Sequence, residues 1–146
     1  MSRKIFVNMA VADPAASAVF YEAIGFTRDA RFSNERAVSM TWSDAIAFML
    51  LSHDFYATFT DKRIVDARTS AEVSLCLSQD SRADVDAMTE RAIAAGGRET
   101  RAAEEHGFMY GRTFEDPDGH IIEPMWMDVD AHAAAMAASA TAEAVD

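Results

Sequence analysis

The chain has 146 residues, half of them hydrophobic, with 24 acidic against 13 basic side chains and a formal net charge of −11. That length fits one domain with a substantial core, and that charge argues against nucleic acid and anionic membrane surfaces as partners. Its one cysteine, Cys76, excludes an internal disulfide framework and fits a reducing compartment. No apolar run approaches the roughly 20 residues of a bilayer span. The opening MSRKIFVNMAVAD has no long apolar region and no small-residue cleavage site. No secretory signal is expected, and the expected location is cytoplasmic.

Along the chain, Lys4–Val11 alternates Ile5, Val7, Met9 and Val11 with Phe6, Asn8 and Ala10, which predicts a strand apolar on both faces. Asp13-Pro14 then supplies a helix cap and a first-turn proline. The helix carries Ala16, Val19, Phe20 and Ala23 at helical spacing and stops at Gly25. Short strands are predicted at Phe26–Phe32, Ala37–Trp42 and Ala45–Leu51, separated by turns at Ser33-Asn34-Glu35 and Ser43-Asp44. The segment Ser52–Ser70 contains Phe55, Tyr56 and Phe59, so it is expected to pack, with a short helix, as a linker between two units.

A second unit opens at Glu72. Val73, Leu75 and Leu77 share one strand face, with Glu72, Ser74, Cys76 and Ser78 opposite. Asp80-Ser81 caps a helix bearing Val85, Met88, Ala92 and Ala95, which Gly96-Gly97 ends. Strand material follows near Arg98–Arg101, then strands Phe108–Glu115 and His120–Met127 flank the turn Asp116-Pro117-Asp118-Gly119. After Asp128 the tail is alanine-rich and helix-prone, an appendage that frays or docks on a partner subunit. Strand, capped helix, glycine and short strands thus occur twice, roughly 65–70 residues apart. The pattern predicts an α+β fold of duplicated βαβββ units spanning about 3–51 and 72–128, with linker 52–70 and tail 129–146.

One residue on the last strand stands out. Ile121, Glu123, Met125 and Met127 share a face, and a carboxylate on an apolar face needs a partner. If the turn is a simple two-residue one, Arg112 pairs with Glu123. If it is bulged, Thr113 stands opposite Glu123 and Arg112 turns to the other face.

Taken together, FVNMAVAD, FYEAIGF, EVSLCLS, the helix ending AAGG and GRTFEDPDGHIIEPMW resemble the glyoxalase/bleomycin-resistance/dioxygenase family, the vicinal-oxygen-chelate superfamily. The resemblance covers about residues 3–128. It implies two βαβββ modules whose mixed and antiparallel strands form a cupped sheet around a cavity, and pairing as a homodimer. Metal-binding relatives carry donors on the first and last strands of each module. The corresponding positions here are Phe6, Phe48 or Met49, Glu72 and Glu123.

Transition-metal sites need three or four side-chain donors with imidazole preferred, and this set supplies two carboxylates. No conventional metal centre or other cofactor is expected; the alternative is a divalent cation held weakly by Glu72 and Glu123. His53 and His106 fall in loops or strand edges, and His120 has strand parity opposite to Glu123. Facing Glu72, Glu123 is a candidate general base; otherwise it is a carboxylate anchoring its hairpin. Asn8, beside Phe6, is a ligand-binding candidate or a buried amide satisfied by backbone. Cys76 is expected to be a buried, inert thiol. Phe55, Tyr56, Phe59, Tyr110 and Trp126 are candidate cavity walls, because the family's cavity lies there.

The expected function is binding of a small organic ligand, in the manner of the family's drug-sequestering branch, through Phe6, Asn8, Glu72, Tyr110 and Glu123. The alternatives are a lactoylglutathione-lyase-like lyase or isomerase, an extradiol dioxygenase, and an interaction module that has lost its site.

Overall fold

The computed structural model describes residues 3–145. Their order is β1 (Ile5–Val11), α1 (Pro14–Ala23), β2 (Thr27–Asp29), a 3-10 turn (Ala30–Phe32), β3 (Ala37–Thr41), β4 (Ile46–Ser52) and α2 (His53–Tyr56). The second half follows as β5 (Ser74–Ser78), α3 (Arg82–Ala94), β6 (Arg98–Glu105), β7 (Met109–Glu115), β8 (Ile121–Met127) and α4 (Val129–Val145). Two four-stranded mixed sheets result, ordered β1-β4-β3-β2 and β5-β8-β7-β6. In each, the first and last strands of a module run parallel and the remaining pairs are antiparallel. This is an α+β fold of two βαβββ modules.

The helix starts follow their caps. The Asp13 carboxylate accepts from the amides of Ala15 and Ala16, and Ser81 Oγ accepts from the amide of Asp84. On α3 the expected face is the buried one: Val85, Met88 and Ala92, joined by Thr89. On α1 it is not. Pro14, Ser17, Ala18, Phe20 and Tyr21 are buried, whereas Val19 is 63% exposed and Ala16 and Ala23 face solvent. The helix is rotated because Tyr21 points inward, where its ring meets Phe20, Phe26 and Phe48 at 5.2–5.7 Å between centroids. A single apolar cluster crosses both modules, from Val11, Phe20, Tyr21 and Phe48 to Leu77, Met88, Phe114 and Ile122.

Three boundaries also shift. β5 begins at Ser74, leaving Glu72 and Val73 outside it; β6 runs on to Glu105; and the strand expected through Phe32 ends at Asp29. The tail is helical, and its start rests on the end of β8 and on Phe108. The His132 ring stacks on Phe108 at 4.7 Å, with its Nδ1 2.9 Å from Met127 Sδ.

The turn after β7 is more than a hairpin closure. The Asp116 amide bonds to the His120 carbonyl around a three-residue tip, with Gly119 at φ 98°. Every residue of this stretch then reaches outside its own hairpin. Tyr21 of α1 donates its hydroxyl to Asp116 Oδ2 at 2.7 Å. Asp118 accepts from the Ala12 amide at 2.9 Å, and His120 Nε2 lies 2.8 Å from the Ala10 carbonyl oxygen. The Pro117 carbonyl accepts from Arg68 of the linker. A Cβ on Gly119 would stand 2.6–2.7 Å from the backbone of Ala67 and Arg68. The turn therefore pins α1, β1 and the linker to the second module.

Asp116 is 4% exposed, and burial, the largest influence, raises its pKa despite the Tyr21 hydrogen bond and the neighbouring His120, which lower it. Tyr21→Phe should therefore cost about 2 kcal/mol at neutral pH, in the range for removing one partner of a buried charged group. The loss should shrink at acid pH, where Asp116 is protonated and needs no donor. Urea unfolding at pH 7 and pH 4 measures both; an equal cost at the two values would refute the ionic reading of this bond.

Candidate functional site

Strand pairing decides which side chains share the concave face, the side away from the helices. On the first sheet Phe6 pairs with Ala47 and Asn8 with Met49. Phe48 lies in the core at 1% exposure, so of the two candidate positions Met49 is the one on the concave face. On the second sheet Ser74 pairs with Ile121 and Cys76 with Glu123. Across the antiparallel partner, Phe114 pairs with Ile122 and Gly111 with Met125. Thr113 therefore stands beside Glu123, as the bulged turn requires.

Glu123 is half-buried, and its hydrogen-bond partners are local. Oε2 accepts from Cys76 Sγ at 2.9 Å and from Ser74 Oγ at 3.4 Å, and Oε1 accepts from Thr113 Oγ1 at 3.5 Å. Desolvation first, then the Glu123 hydrogen bond and charge, push the Cys76 thiol up to about 11. Cys76 is thus a poor nucleophile at neutral pH, as expected, but it is exposed and not buried. Asn8 is exposed too, which removes the buried-amide alternative.

Arg112 turns to the helix side. It bonds Glu99 at 2.8 Å, Asp86 at 3.1 Å and Glu90 at 3.0 Å, tying β7 to α3 and β6. Tyr110 shares that face, donating to Asp86 at 2.6 Å, and Arg82 lies over both Tyr110 and Trp126. Tyr110 and Trp126 are therefore walls of a polar clamp between sheet and helix, on the opposite side of the sheet from Glu123. Period-two alternation from Thr113 forces this. The Tyr110 hydrogen bond holds the Asp86 carboxyl below its usual range, and Arg112 does the same for Glu99.

A cavity of about 350 Å³ lies elsewhere again, at the seam where β1 and β5 approach beneath the linker. Val7, Met9, Tyr56, Ile64 and Leu75 give it apolar walls, and Asn8, Glu72 and His120 bring polar groups to it. Of the expected aromatic walls, Tyr56 and Phe59 belong to this lining and Phe55, Tyr110 and Trp126 do not; Phe6 and Glu123 are outside it too. Of the five ligand-binding candidates, the structure brings Asn8 and Glu72 together and leaves the other three outside. His120 was missed. The signal lay in the turn itself, whose closing residue must point out of the hairpin if its parity opposes Glu123.

Residues 5–123 match the family model of the Glyoxalase/Bleomycin resistance protein/Dioxygenase superfamily. The chain belongs to this superfamily. Similar solved structures of the superfamily include an enzyme from Burkholderia phytofirmans PsJN, with 20% identity and a TM-score of 0.72 over 86% of this chain and 99% of that one. A glyoxalase-related enzyme from Fulvimarina pelagi has 22% identity and a TM-score of 0.72, covering 86% and 88%. The bleomycin resistance determinant encoded on transposon Tn5 has 20% identity and a TM-score of 0.61, covering 87% and 99%. No curated protein matches the chain. At these identities the likeness concerns the fold.

The donor set of this superfamily member does not fit a glyoxalase-type metal centre. Phe6 and Met49 occupy the concave face of the first module, and Glu123 is surrounded by a thiol and two hydroxyls. Among the described residues no three His, Cys, Asp or Glu side chains form a group that could hold a metal ion. Glu72 lies outside β5 and lines the seam cavity, whose lining does not include Glu123.

Because only the thiolate reacts, alkylation of Cys76 by iodoacetamide should be slow at pH 8 and accelerate as the pH approaches 11. Glu123→Gln should speed the pH 8 reaction several-fold, short of a free thiol's rate, because desolvation remains. Mass spectrometry over time measures this. A wild-type rate at pH 8 equal to that of an unstructured cysteine peptide would contradict the thiol–carboxylate contact.

Proposed function

We propose that this superfamily member binds a small, largely apolar organic molecule in the seam cavity, without a conventional transition-metal centre. The observation that carries this reading is the cavity, whose volume of about 350 Å³ and mainly aliphatic and aromatic walls suit a compact ligand. Binding there needs no chemistry from Glu123. The lyase, isomerase and dioxygenase alternatives require a donor set that the concave face does not supply.

A homodimer is the second part of the proposal. Ile5 and Phe6, at 56% and 61% exposed, leave the open end of β1 apolar, and a second copy would cover it.

Thermal-shift screening of small aromatic and aliphatic compounds should find ligands that raise the melting temperature. Val7→Trp, which fills the cavity, should abolish the shifts, while Glu123→Gln should leave them intact. A screen without any stabilising compound, or shifts lost only in Glu123→Gln, would count against the seam. Sedimentation at micromolar concentration should give twice the monomer mass.

A further inference from the structure

His120 closes the turn and sends its ring across the seam. Its Nε2 stands 2.8 Å from the carbonyl oxygen of Ala10. A backbone carbonyl has no hydrogen to give, so Nε2 must be the donor. In the neutral ring that leaves Nδ1 as a bare lone pair. Nδ1 makes no hydrogen bond among the described residues, and among them the one fully buried side-chain polar atom without a partner is Ser17 Oγ, so Nδ1 keeps contact with accessible space. His120 is one of the residues that line the seam cavity.

The orientation is imposed from several sides. Asp116 Oδ1 accepts from the His120 amide at 2.9 Å, which fixes the backbone, while the Ala10 carbonyl fixes the ring. Gly119 before it is packed against Ala67 and Arg68. A bare acceptor on a cavity-lining side chain, held by contacts it cannot readily abandon, is a preorganised binding group. Asn8 and Glu72 also bring acceptor oxygens to the lining and have no side-chain hydrogen-bond partners among the described residues, while Lys62 and Arg63 bring donors from the linker side.

We propose that His120 Nδ1 is the polar anchor of the seam cavity, and that the molecule it takes is apolar with an uncharged O–H or N–H donor. This rests on the seam reading of the function, which it sharpens from an apolar ligand to an apolar hydrogen-bond donor. The ε-protonated ring receives the donor, with Ala10 as its backstop.

Two measurements test it. Nitrogen-15 spectroscopy of the histidine rings in the free protein at pH 8 should show His120 with Nε2 protonated and Nδ1 bare; the opposite tautomer overturns the proposal without touching the cavity. Second, 2-naphthol and 2-methoxynaphthalene, which differ in the donor, are titrated calorimetrically. One net hydrogen bond corresponds to about threefold to tenfold in affinity, so naphthol should gain that much over the ether in the wild type relative to His120→Phe. The His120→Phe substitution keeps a planar ring in the seam and has no acceptor at the Nδ1 position. If both proteins bind the two probes in the same ratio, the anchor is refuted and the cavity stands. If neither probe binds the wild type, the cavity reading falls and the anchor with it. Should His120→Phe fail to fold, the tautomer in the wild type decides.

Discussion

A buried carboxylate holds this fold together. Asp116 is almost wholly removed from water, and an isolated ion there would cost several kcal/mol. It is tolerated because it accepts three hydrogen bonds, from the Tyr21 hydroxyl and from the amides of Asp118 and His120. Two of those bonds shape the turn and the third reaches a helix of the other module. The same carboxylate thus sets the hairpin and docks α1, and the docked Tyr21 completes the aromatic cluster with Phe20, Phe26 and Phe48. Remove the donor and the penalty of burial remains, which is why the contact matters more than its length in the chain implies.

The shape of that turn propagates along two strands. A three-residue tip aligns Thr113 with Glu123, and a tip one residue different would have brought Arg112 there instead. With the observed register, Arg112, Tyr110 and Phe114 face α3, where Arg112 gathers Asp86, Glu90 and Glu99. Glu123 is left among a thiol and hydroxyls on the concave side. Cation and carboxylate, adjacent in any simple hairpin drawing, end on opposite faces of one sheet. The ion-pair network is therefore part of the helix–sheet contact, and among the described residues no Lys or Arg pairs with Glu123.

Much of this was legible in the residues. Alternation in Lys4–Val11, the Asp13-Pro14 cap, the apolar positions of α3 and the Asp-Pro-Asp-Gly turn each report local geometry, and together they give the duplicated unit and the family. What escaped was whatever depends on contacts between distant segments. The rotation of α1 follows from Tyr21 meeting Asp116, 95 residues away, while spacing within the helix favoured Val19 and Ala23. Tyr110 and Glu123 are expected at one cavity because the family resemblance puts the cavity there; the pleat separates them. The choice between Phe48 and Met49 hung on a register of one residue, which apolar residues on both faces of β4 could not decide. The seam is set by two modules and a linker meeting, and no local pattern encodes that.

The seam cavity exists because one strand pairing does not form. β1 and β5 are the outer strands of their sheets, and residues of both line the cavity. A continuous ladder between them would have filled the gap with hydrogen bonds; unpaired edges instead present backbone groups that need partners. The Asp-Pro-Asp-Gly-His turn supplies two of them, Asp118 for the Ala12 amide and His120 for the Ala10 carbonyl, while linker residues from Tyr56 to Val73 line the remaining space. Satisfying the edge with side chains, instead of with a neighbouring strand, costs order but leaves volume. It also ensures that the polar group left facing that volume is oriented by the edge it caps. A cavity so built combines apolar walls with a fixed acceptor, and both properties trace to the same five-residue turn that seats α1.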